Sequence, residues 1–229
     1  MSVKKLIGLL RRGLSEAADP ARAPKMQAYM KSAMPYYGVG APVQRRVCKP
    51  LFDEHRFTNQ SDWMNAALEL WRDAKFREER YAAIELTGHR FYEDFQDMSA
   101  LPMYEEMVVD GAWWDYVDAV AVHRIGKKLL VRHPPEIKRL MRKWSRSSDL
   151  WKRRTSIICQ VALKEKTDLA LLYGTIESNL DHKDFFIRKA IGWGLRSYAW
   201  VDPEEVRRYV GEHSKSLSPL SRREATKNI

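Results

Sequence analysis

Residues 184–195 read DFFIRKAIGWGL, and three earlier stretches can be laid over them: KFREERYAAIEL (75–86), GAWWDYVDAVAV (111–122) and DLWKRRTSIICQ (149–160). In that overlay Arg80, Val117, Arg153 and Arg188 share one phase, at spacings of 37, 36 and 35 residues. A period in the high thirties with two helices per unit is the mark of HEAT- or armadillo-like repeats. One such unit cannot bury its apolar face alone, so neighbours stack and share a core. The expected fold is therefore all-α: helical repeats stacked into a curved superhelical solenoid, as one domain over residues 1–229.

Outward from these segments the chain keeps helical periodicity and nowhere sustains the alternation of a strand. Short breaks separate the helices, among them Asp19-Pro20, Gly38 to Pro42, Asn59 to Asp62, His133-Pro134-Pro135, Ser145 to Asp149, Asp181 to Asp184 and Asp202-Pro203. Ser61, Asp149 and Asp184 are of the right type to cap the helices that follow, because their side-chain oxygens can accept the free N–H groups of a first turn. The opening MSVKKLIGLLRRGL has a basic edge and a short apolar run that Arg11 and Arg12 interrupt. An amphipathic first helix is expected there rather than a signal peptide.

Composition narrows the function. No run of 18 apolar residues occurs, so no transmembrane helix is expected, and no membrane is counted among the expected partners. Cys48 and Cys159 are isolated, which suits a reducing compartment and supplies no disulfide framework. The six histidines never stand three or four residues apart, and there is neither a GxGxxG nor a GxxxxGK[ST] stretch. Metal sites and nucleotide folds thus lose their usual signatures, and neither metal nor small-molecule cofactor is expected. The net charge is +10, unevenly spread: residues 1–120 carry 16 Lys/Arg against 18 Asp/Glu, whereas residues 121–229 carry 24 against 12. A polyanion partner is implied, and nucleic acid is the usual one.

The overlay also aligns chemistry. The position after each shared phase is Tyr81, Asp118, Arg154 and Lys189, which equivalent repeats would display on one surface. Within WWDYVD (113–118), Trp114 and Asp118 lie four residues apart and so on one helix side, beside an apolar stripe of Trp113, Val117 and Val120. Lys189, Trp193 and Arg196 make a basic–aromatic–basic strip, with Ile191, Leu195 and Tyr198 on the core side. Helical tryptophans are more often core than site. Trp63, Trp71, Trp113, Trp144, Trp151 and Trp200 are accordingly read as core.

At these residues the chain resembles the AlkD-type DNA glycosylases, HEAT-like repeat enzymes that excise N3- and N7-alkylated purines. The matching stretches are MQAYMKSAMPYYGV (26–39), WWDYVD (113–118), SSDLWKRRTSI (147–157), DFFIRKAIGWGLRSYA (184–199) and LSPLSRREATK (217–227), in order and at matching spacing. The resemblance implies catalytic roles for Trp114, Asp118 and Trp193. It implies a DNA contact for Arg154 and a place near the damaged pair for Tyr29. Lys189 and Arg196 would add cationic contacts to the same duplex, and Phe185 and Phe186 match the family's FF pair without an assigned role. It further implies that the lesion stays stacked in the duplex instead of being extruded.

Such chemistry asks for few groups. An alkylated purine is already cationic, so it leaves neutral while positive charge moves onto the deoxyribose. What helps is a negative potential fixed in place beforehand, with indole faces beside it. A monofunctional enzyme acting as a monomer on alkylated double-stranded DNA, cytoplasmic and on the nucleoid when bound, is the resulting expectation. Two others compete: a DNA-binding repeat paralogue without turnover, and a scaffold that grips an acidic protein in its concave face.

Overall fold

In a computed structural model, which describes residues 3–229, the described residues form helices and no strand. The all-α expectation holds. The chain divides into two compact units, Met1–Phe95 and Gln96–Ile229. No helix among the described residues is long and apolar enough to cross a membrane.

The first unit holds α1 (Val3–Glu16), α2 (Ala23–Met30), α3 (Ala41–Glu54), α4 (Gln60–Arg72) and α5 (Arg77–Thr87). The amphipathic first helix appears as read, except that Met1 and Ser2 lie outside the described residues; α1 buries Leu6, Ile7, Leu10 and Leu14 on one stripe. Trp63 and Trp71 are fully buried with Phe52, Leu70 and Leu86, as the core reading requires. Ser61 is not the cap of α4. Asn59 takes that place, its side chain accepting from the backbone of Asp62 at 2.9 Å, because the helix begins at Gln60 and leaves Ser61 inside it.

Two buried acids at the start of α5 hold the loop between α2 and α3. Glu78 accepts backbone N–H groups from Tyr37 at 3.1 Å, Gly38 at 2.9 Å and Val39 at 3.0 Å. The turn needs glycine: Gly38 has φ +86°, and a Cβ there would stand 2.2 Å from the carbonyl of Asp19. Glu79 accepts from Arg11 Nε and from the Tyr37 hydroxyl, both at 3.0 Å. Burial pushes the Glu78 carboxyl above its ordinary range against these donors. Tyr29, on α2, is 76% exposed.

The second unit holds α6 (Leu101–Gly111), α7 (Trp114–Val120), α8 (Pro134–Trp144), α9 (Leu150–Ile158), α10 (Leu169–Glu177), α11 (Phe185–Ala199), α12 (Pro203–Glu212) and α13 (Pro219–Ala225). Asp149 and Asp184 cap α9 and α11 as expected, accepting from Lys152 at 2.8 Å and from Phe186 at 2.7 Å. The repeat phase is visible in side-chain work. Arg153 Nε bonds the carbonyl of Ser147 and Arg188 Nε that of His182, each reaching back six residues to tie its helix to the loop before it.

α7 runs on through Ala121–Leu130 in π-helical turns. Widened turns of this kind are rare and concentrate at functional sites. Gly126 lies in this stretch against the end of α9, where a Cβ would be 1.8 Å from the carbonyl of Cys159. That approach sets the separation of α7 from α9. Trp144 and Trp151 are buried, and Trp113 is half-buried with its ring 5.3 Å from Phe186 and 6.2 Å from Trp151. Trp200 corrects the core reading: it ends α11 with 76% of its surface exposed, because α11 stops there and the chain turns away at Asp202-Pro203.

Candidate catalytic site

Four helices of the second unit carry the expected residues other than Tyr29 or pack against those that do: α7 packs on α9, α9 on α11, and α11 on α13. Trp113 precedes α7 in extended backbone and Trp114 opens the helix, so Asp118 falls one turn beyond Trp114 on the same side. Val117 and Val120 are fully buried and take the inner side. Trp114, Asp118 and Trp193 are each half-buried, neither sealed in the core nor fully in water.

Asp118 and Arg154 form a bidentate pair. Arg154 Nε donates to Oδ1 at 2.7 Å and Nη2 to Oδ2 at 2.8 Å, while Nη1 donates to the carbonyl of Phe186 at 2.6 Å. Parallel N–H···O bonds of this sort fix both partners in one plane. The side chain of Arg154 is only 6% exposed and that of Asp118 is 17% exposed. The edge that reaches solvent is thus the carboxylate. Burial pushes the Asp118 carboxyl above the ordinary aspartate range, and the guanidinium pulls it back; Asp115 adds a smaller upward push.

The sequence expectation gave Arg154 to DNA. In the structure its guanidinium is turned inward and committed to Asp118 and Phe186, so its first task is to hold the acid. The pairing links residues 36 positions apart, one repeat, which is why the overlay placed them at equivalent positions. Tyr81, the matching position of the first unit, bonds the hydroxyl of Tyr36 at 2.9 Å.

Lys189, Trp193 and Arg196 do share a face of α11, and one residue missed in the sequence organises them. Glu224 of α13 bonds Lys189 Nζ at 3.0 Å and Arg196 Nη1 at 2.8 Å, bridging the two cations. The two cations hold its carboxyl below the usual range. α13 comes this near because residue 192 is glycine; a Cβ there would stand 2.4 Å from Glu224 Cβ. Ser221 Oγ secures the contact through the carbonyl of Arg188 at 2.9 Å. Only the match to LSPLSRREATK hinted at α13, since its partners lie about a repeat away.

With this geometry in view the comparisons are decisive about kinship. A family model described as DNA alkylation repair enzyme matches residues 10–229. The chain belongs to that family. A solved structure titled "Predicted DNA alkylation repair enzyme from Enterococcus faecalis" is 30% identical, with a TM-score of 0.83, covering 93% of this chain and 96% of that one. No curated protein matches. The family description supports an enzyme of DNA alkylation repair with DNA as its substrate.

Proposed function

We propose that the protein is a monofunctional DNA glycosylase that hydrolyses the N-glycosidic bond of cationic N3- or N7-alkylated purines in duplex DNA. The observation that carries this reading is the mostly buried carboxylate of Asp118, which keeps one edge open to solvent, paired with Arg154 and one turn from Trp114. Family membership supplies the setting.

In the proposed reaction the bond from C1′ to the purine nitrogen breaks with its electron pair going to the base. The base leaves neutral, and the deoxyribose becomes an oxocarbenium ion. Water adds at C1′ and gives up a proton, leaving free base and an abasic site. No acid is needed to protonate the leaving group, because the alkylated base departs neutral. Asp118 faces the sugar as its charge develops and orients the water.

Magnitude limits the claim. An isolated acid about 4 Å from a unit charge is worth roughly 4 kcal/mol at an effective dielectric near 20. Arg154 offsets part of that, so the useful quantity is the field of a dipole whose negative end points outward. Indole faces at Trp114 and Trp193 contribute about 0.5–2 kcal/mol each by cation–π attraction. Together these supply several powers of ten in rate, suited to a bond already made labile by alkylation and too little for an unmodified purine.

Lys189 and Arg196 are proposed as phosphate contacts presented by Glu224, and Tyr29 as a contact near the damaged pair. Arg154 contacts DNA only through the N–H groups that Asp118 and Phe186 leave over. The test is a duplex with one 7-methylguanine, incubated with protein and heated in alkali to cut at abasic sites. Strand cleavage at the lesion is expected. Tight, salt-sensitive binding without cleavage on any alkylated duplex would instead make the protein a binding paralogue.

A further inference from the structure

The stripe on α11 is longer than the part that the catalytic reading uses. At roughly 100° per residue, Phe185, Lys189, Trp193, Arg196 and Trp200 all fall within an arc of about 80°. Their order is aromatic, cation, aromatic, cation, aromatic, over the whole of α11. Phe185 is 55% exposed and Trp200 76%, so the two ends of the stripe are its most open parts. A single exposed apolar residue means little on a protein surface. Here the residue continues a row that includes Lys189, Trp193 and Arg196, and Glu224 pins the two cations of that row in place.

We propose that α11 lies along the DNA backbone, and that Trp200 is a further contact to the duplex on one side of the lesion. This rests on the glycosylase reading for where the lesion sits. The partner is duplex DNA because the row alternates cations with flat faces: phosphates pair with Lys189 and Arg196, and an indole packs on a deoxyribose while its N–H donates to a phosphate oxygen. Seven residues separate Trp193 from Trp200, about 10 Å at a rise of 1.5 Å per residue. DNA advances about 3.4 Å per nucleotide along a strand, so Trp200 meets the duplex about three base pairs from the lesion. Trp200 recognises no base in this position. It fixes the register of the helix on the duplex and the length of duplex that the enzyme requires.

The experiment measures affinity for duplexes carrying one 7-methylguanine with flanks of two to eight base pairs, trimmed from each side in turn. Wild type should lose about 3–10-fold in affinity, the worth of one aromatic contact, when one flank falls below about three base pairs. W200A should bind the long duplex more weakly by the same factor and be indifferent to that trimming, and W200F should recover most of the loss. Wild-type affinity in W200A, or a loss that is equal at every flank length, overturns the proposal. So does concentration-dependent self-association that W200A abolishes while DNA affinity stays put, which gives the ring to a second copy. Release of 7-methylguanine by wild type is scored in the same tubes. Its absence defeats the glycosylase reading, while its presence with a flat flank series defeats only the role of Trp200.

Discussion

Asp118 sits between two opposing influences, and the balance is measurable. Burial raises its carboxyl above the ordinary aspartate value of 3.8, and Arg154 lowers it. The reaction uses the carboxylate, so the protein-dependent rate should fall on acidification with a midpoint above that value. Arg154→Met removes the lowering partner and should move the midpoint to still higher pH, as read from single-turnover rates across pH corrected for spontaneous depurination. Stability follows the same sign. A folded-state value above the unfolded one adds stability below the unfolded value, which is lost as pH rises through the folded one. Without Arg154 the bare carboxylate is penalised, so Arg154→Met should cost about 3 kcal/mol at neutral pH and distinctly less near pH 4. Thermal melts at the two pH values check this, with equal losses excluding a buried, charged pair. Trp114→Ala and Trp193→Ala should each slow base release about 2–30-fold, the range of one cation–π contact.

At the scale of elements, local signals were legible and cross-repeat partners were not. The four overlaid segments fall on α5, α7, α9 and α11, and Asp149 and Asp184 cap as read, because caps and periodicity act within a few residues. Ser61 failed by two positions, since Asn59 competes for the same helix start. The repeat phase brought Asp118 and Arg154 to matching positions without disclosing that they pair. Glu224 was invisible, because a contact across 28 or 35 residues is decided by packing. The π-helical stretch carries no local signature either, and its register depends on Gly126. Gly126→Ala would drive a methyl into the rigid carbonyl of Cys159 and push α7 from α9. It should cost about 3 kcal/mol, the upper range for overpacking, and lower the melting temperature by roughly 6–12 °C. A loss under about 1 kcal/mol would mean that this contact does not set the spacing.

For the whole molecule, the charge imbalance of residues 121–229 is the feature that the sequence displayed most openly, and salt tests it. Neutralising about four phosphates should weaken duplex binding roughly 100-fold between 50 and 200 mM salt, whereas binding of an acidic peptide but not of DNA at moderate salt would favour a protein-gripping scaffold. Charge explains affinity alone, and the catalytic claim rests on one acid. The most direct measurement is single-turnover release of 7-methylguanine from a defined duplex by wild type and Asp118→Asn, both at saturating protein. Asparagine keeps the shape and one acceptor for Arg154, sets its amide N–H group against the other guanidinium N–H, and removes the negative charge. A fall of about 100-fold in rate with affinity changed less than about threefold is predicted. Equal rates would contradict the role given to Asp118.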